Sequence, residues 1–210
     1  MNADRRSDDS ERSIMAGEPQ RPDLAQELIR RAAEVSERWA YLTRGQLSVQ
    51  DLNRGRLTDQ ANAGVMQRIF AGHGWPGWSL VGEDGATAAW QIALHADHSP
   101  FQRLAARLMH QAVQANDASP RQWAHLHDRC LVHSGAGQEY GTQYRPGPAG
   151  PERLAVHDPQ SLDERRARVG LPPAAVSLEI LRRRRAQTPR LGPVIEIPAD
   201  EPSAELMSAA

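Results

Sequence analysis

A chain of 210 residues suits one domain with tails better than two full domains. Its hydrophobic content of 40%, slightly under that of an ordinary globular domain, fits a normal core between two polar ends. A formal net charge of −1 gives no electrostatic reason to expect nucleic acid or an acidic membrane as partner, and the single cysteine, Cys130, excludes both an internal disulfide framework and a cysteine-based structural zinc site.

The 25 basic residues are all arginine, scattered along the chain as a GC-rich codon bias would leave them. No apolar run approaches the ~18 residues of a membrane span. Residues 1–21 are charged and lack the apolar stretch of a signal peptide, so they read as a disordered leader and the cytoplasm as the compartment. The helical domain is expected over 22–187, followed by a disordered acidic, proline-rich tail over 188–210.

From Pro22, the residues Leu28, Ala32, Val35, Trp39 and Leu42 recur at steps of three and four, predicting an amphipathic helix that ends near Gly45. A second helix is expected over 59–71, with Val65, Met66, Ile69 and Phe70 inward and Gly72-His73-Gly74 as its stop. Pro76 biases Trp75 away from helix. Gly82-Glu83-Asp84-Gly85 reads as a turn whose Asp84 caps the next helix, over 84–98. Ser99-Pro100 and Ser119-Pro120 predict helix starts for 100–116 and 120–133, and Ser161-Leu162-Asp163-Glu164 predicts a capping box for 162–169, with Gly170 as its C-terminal glycine. A last helix is expected over 174–187. Between 138 and 158 the alternation predicts a small β-hairpin with a long loop over the Pro146–Pro151 stretch. The fold class is mainly α: one helical domain around a buried central helix, with that hairpin attached.

The central helix carries the chemistry. Ala86, Ala89, Trp90, Ala93 and Leu94 form one apolar arc, and Ala88, Ile92 and Ala96 form another on the far side. Thr87, Gln91 and His98 are all that remains of a polar strip. A helix apolar nearly all round is buried, and Asp97 then falls in the first arc while His95 lies between Gln91 and the second. A buried carboxylate must be paired, hydrogen-bonded or protonated. His95 and Asp97 are therefore the candidate catalytic residues, with His95 as general acid or base and Asp97 orienting it. Gln102 stands close by as a candidate substrate-binding group, or as the third residue of the Ser99 cap. Asp128 and Arg129 are either a solvated charge pair on a helix whose inward face is Trp123, Leu126, Cys130 and Leu131, or a pair turned toward the site, where Arg129 would grip a carboxylate or phosphate. Gln138, Tyr140, Thr142 and Gln143 form a candidate binding edge around Gly141.

His95 and His98 are three apart, and Asp97, His110, His125, His127 and His133 add further ligand types for zinc or iron. No complete metal motif such as H-E-x-x-H accompanies them, so a metal is not the favoured reading, and the sequence identifies no cofactor. A P-loop, a dinucleotide fingerprint and a nucleophile elbow are also missing.

The ordered set Gly74-Trp75-Pro76, Leu80-Val81-Gly82, Gly85-Ala86, Ala89-Trp90, His95-Ala96-Asp97, Asp128-Arg129 and Gln138-x-Tyr140-Gly141-Thr142-Gln143 resembles the bacterial domain-of-unknown-function family numbered 6624. Asp158-Pro159 and Arg165-Arg166 to Gly170-Leu171 extend the similarity, which covers roughly residues 24–185. One departure is Leu94, where the family's pattern often has Gln before the histidine. The resemblance implies a fold unit and no activity. Two readings follow. In one, the chain is a small-molecule enzyme using the His95/Asp97 pair. In the other, it is a non-catalytic binding or interaction module in which the same polar cluster is structural. Its partner, a small molecule or another protein, is not specified by the sequence.

Overall fold

A computed structural model describes residues 18–43, 49–96, 98–148, 150–187 and 207–208. Its described helices are α1 (Pro22–Thr43), α2 (Val49–His73), α3 (Trp78–His95), α4 (Ser99–Gln114), α5 (Pro120–His133), α6 (Leu162–Arg168) and α7 (Ala174–Gln187). Two strands, β1 (Gln143–Gly147) and β2 (Gly150–Arg153), form the hairpin between α5 and α6, and a two-residue strand β3 (Met207–Ser208) pairs with the outer edge of β1. The protein is mainly α.

Helix α3 is the centre of the bundle, touching α1, α2, α4 and α5, with its longest contact along α1. Its alanines explain the intimacy. Ala86, Ala88, Ala89, Ile92, Ala93 and Leu94 are all buried, on both sides of the helix; after the exposed Glu83 and Asp84, accessible surface remains only at the half-exposed Thr87, Gln91 and His95. Gly85 allows α1 to close in, because a Cβ there would lie 3.1 Å from the Ala25 Cβ of α1; it would also crowd Val81 of α3 itself, at 2.8 Å. Leu28, Ala32 and Val35 of α1 are buried as their spacing predicts, while the side chains of Trp39 and Leu42 lie outside the described residues. Phe70 links the layers by stacking on Trp75 and Phe101 at centroid distances of 5.9 and 5.8 Å.

Several helix ends differ from expectation, each for a local reason. Helix α2 begins ten residues earlier than 59, at Val49. Helix α3 starts at Trp78 and is not capped by Asp84; it kinks at Gly82, whose φ of 71° only glycine adopts without strain. Its first turn is capped from a distance by Asp117, whose carboxylate accepts from the Ser79 N–H at 2.7 Å and the Ser79 hydroxyl at 2.9 Å. The helix also ends earlier than 98, at His95. The cap of α4 is His98, not Ser99: its Nδ1 accepts from the Phe101 N–H at 3.2 Å. Ser119 caps α5 as read, accepting from the Gln122 N–H at 3.3 Å. Ser161 makes no cap; its hydroxyl goes to Asp158 and accepts from Arg165, while Gly170 at φ 73° closes α6 as expected.

The hairpin is tighter than expected. Pro146 pairs with Pro151 and Gly147 with Gly150, so the stretch read as a long loop lies mostly inside the strands. Residues 138–142, at the start of the span expected to form the hairpin, are a loop, bridged at Gln138 to Val156 just beyond β2. Among the described residues no helix is long and apolar enough to cross a membrane.

Candidate functional site

The decisive feature of α5 is the face it buries. Ala124, His125, Leu126, Asp128 and Arg129 point inward, while Trp123 and Cys130, expected in the core, are only half-buried. Asp128 has no exposed surface at all, and its carboxylate accepts four hydrogen bonds from one short loop. Oδ1 takes the N–H groups of Glu139 at 2.8 Å and Tyr140 at 3.0 Å, and Oδ2 takes the N–H and hydroxyl of Thr142, both at 2.9 Å. Four converging donors require the loop to fold back on itself, and Gly141 at φ 62° supplies that turn. Burial raises the Asp128 carboxyl above its ordinary pKa, and the four donors pull the other way.

The same loop is held from its other side. Gln138 donates to the carbonyls of Gln143 and Leu154, both at 3.1 Å, and accepts from the Gln143 N–H at 2.6 Å. Gln143 donates to the His125 carbonyl at 3.3 Å and the Thr142 hydroxyl at 3.1 Å. Two arginines of α6 collect the loop's carbonyls. Arg165 donates to Glu139 O at 2.8 Å, and the fully buried Arg166 donates to Tyr140 O at 2.6 Å, Pro172 O at 2.7 Å and the Ser177 hydroxyl at 2.5 Å. One cation thereby ties α6 and α7 to the loop. Sequence reasoning gave Arg165 and Arg166 no role; the signal was there, an Arg-Arg pair in a short helix that must bury one face.

His95 sits apart from this network, at the last residue of α3. It is partly buried with Nδ1 enclosed, and burial, with Arg129 and Arg38 nearby, pushes its pKa down to about 3. The imidazole is therefore neutral across the physiological range. Gln102 is fully buried beside it. Its amide nitrogen donates to the Ala93 and Leu94 carbonyls at 3.2 and 3.0 Å, and its oxygen lies 2.8 Å from His133 Nδ1. Gln102 therefore closes the C-terminus of α3 and is not part of a cap of its own helix. Asp97, expected on the same helix, lies outside the described residues.

The predicted site residues thus fall into two groups. Asp128, Gln138, Thr142 and Gln143 come together around the loop, and His95 and Gln102 meet at the end of α3, with Arg129 close enough to His95 to act on its charge. The Tyr140 side chain leaves both, packing edge-on against Trp123 at 5.8 Å and His127 at 6.2 Å. Among the described residues no three His, Cys, Asp or Glu side chains cluster as a metal site would require. Burial pushes the Cys130 thiol up to about 11, which disfavours its reactive thiolate form.

The fold is thus a helical bundle whose hairpin connection is clamped by a buried aspartate and a buried arginine. Residues 22–188 match a family model described as a family of unknown function (DUF6624), and the chain belongs to that family. No curated protein and no solved structure matches it.

Proposed function

We propose that the chain is a non-catalytic binding module of the cytoplasm, in which the polar cluster is a scaffold. One observation carries the reading: Asp128, Gln138 and Gln143 direct their hydrogen bonds at the backbone and side chains of their own fold. Groups committed to scaffold contacts are poorly placed to bind a substrate, because each contact given up leaves a buried polar atom unsatisfied.

The test is thermal unfolding of Asp128→Asn and Gln138→Leu beside the parent. Asparagine turns an amide N–H toward donors that need an acceptor. Each variant is expected to lose about 2–4 kcal/mol, and the melting temperature to fall by about 5–15 °C. A melting curve that overlays the parent's in both variants would sink the scaffold reading.

A second reading, a small-molecule enzyme with His95 as general base oriented by Asp97, starts from the place of His95 at the end of α3 with Arg129 nearby, but burial, which holds its pKa down to about 3, leaves it unprotonated at the expense of basicity, so the scaffold reading stands ahead of it. Its discriminating variant is His95→Ala. Retained stability would favour a functional His95, and a loss of several degrees would favour the scaffold.

A further inference from the structure

Outside the clamped loop, a groove of about 480 Å³ opens between α4 and α5. Its volume falls within the ~300–1,000 Å³ typical of small-molecule sites. One wall is the α4 stripe Arg103, Arg107 and His110, at steps of four and three; the other is Trp123, His127 and Cys130 of α5. At one end the two walls close on each other in an aromatic stack. Trp123 stacks with His110 at 4.5 Å and 16° and with His127 at 5.0 Å and 26°, and its indole N–H is pinned on the Ala106 carbonyl at 3.1 Å. The lining contains no carboxylate. Arg103 and Arg107 are exposed, and neither meets a carboxylate among the described residues.

We infer that this groove binds a small organic anion with a planar apolar body, the body lying along the Trp123 wall and the anionic group held by Arg103 and Arg107. The argument is one of complementarity. Two guanidiniums one helical turn apart, with no internal acid, attract a carboxylate, sulfonate or phosphate and offer it forked donors. The aromatic wall beside them rewards a flat apolar body and adds nothing for a bare inorganic ion. The clamped loop holds Tyr140 against the outer edge of that wall, which connects the scaffold to the groove. The inference rests on reading the chain as a binder, and its test is separate from the melting test of the scaffold.

The probes are 1-anilinonaphthalene-8-sulfonate and its uncharged counterpart N-phenyl-1-naphthylamine, titrated into the full chain and followed by dye emission. The sulfonate is expected to bind one per chain and more tightly than the neutral dye. The double variant Arg103→Gln/Arg107→Gln should weaken the sulfonate by about tenfold or more, from the loss of charge-assisted hydrogen bonds, and leave the neutral dye unchanged. Both positions are exposed, so the variant should melt with the parent. Arg121→Gln, an exposed arginine outside the groove, should bind as the parent does. Equal binding of the two dyes, undiminished sulfonate binding in the double variant, or an equal loss in Arg121→Gln would each overturn the proposal. Unaltered melting of the Asp128 and Gln138 variants would remove the scaffold reading and leave the dye result standing.

Discussion

Two histidines, the buried His125 and the partly buried His95, make stability depend on pH. His125 packs edge-on against Trp90 at 6.1 Å, and burial, with Arg121 and Arg166 nearby, pushes its pKa down to about 3, as for His95. The folded pKa lies below the unfolded value of ~6.5, so the unfolded chain takes up the proton first. The stability these neutral imidazoles permit is complete above pH ~6.5 and is lost as pH falls toward about 3. The expected slope reaches about 1.4 kcal/mol per pH unit for each histidine. Urea unfolding between pH 8 and pH 4 measures it. His125→Leu should be less stable at pH 8 yet show a shallower decline; an unchanged slope would mean that His125 does not stay neutral in the fold. His133 and Gln102 show the same economy in another form: with one amide, Gln102 meets two backbone carbonyls and an imidazole.

Helix α3 depends on two glycines for different reasons. Gly82 supplies a left-handed backbone step at the kink, and Gly85 supplies room against α1. Gly85→Ala places a methyl group 2.8 Å from one buried carbon and 3.1 Å from another, so a helix-favouring substitution becomes an overpacked one. The expected loss is about 1–3 kcal/mol by chemical denaturation, despite the gain in helix propensity. A more stable Gly85→Ala would show slack both toward Ala25 of α1 and toward Val81 within α3. Gly64, on α2, has open space around its Cβ position and is the matched control, where alanine should stabilise by about 0.4–1 kcal/mol.

Across the molecule, the Arg166 contacts decide what belongs to the domain. Beside the buried Tyr144 of the hairpin and Ala174 and Leu181 of α7, Arg166 joins Tyr140, Pro172 and Ser177 through one guanidinium. Limited proteolysis should accordingly leave α6 and α7 attached to the helical bundle. A stable fragment ending near residue 150 would show that the bundle stands without them. Arg166→Met should make cleavage between the hairpin and α7 markedly faster, since it leaves buried carbonyls without donors.

Much of the helical architecture was legible in local pattern. Periodicity located the buried faces of α1 and α2, the near-complete burial of α3 and the glycine that ends α6, because each depends on residues within a few turns. The helix ends were less legible, since capping groups came from afar: Asp117 for α3 at one end and Gln102 at the other. The candidate site divided in the same way. The sequence singled out Asp128, Gln138, Thr142 and Gln143 by residue type, but not what they do, because a buried polar side chain looks the same whether it awaits a ligand or holds a loop. Which face α5 turns inward was decided only by tertiary structure. Four donors from a loop eleven or more residues away make it favourable to bury Asp128 and leave Trp123 at the rim of a groove.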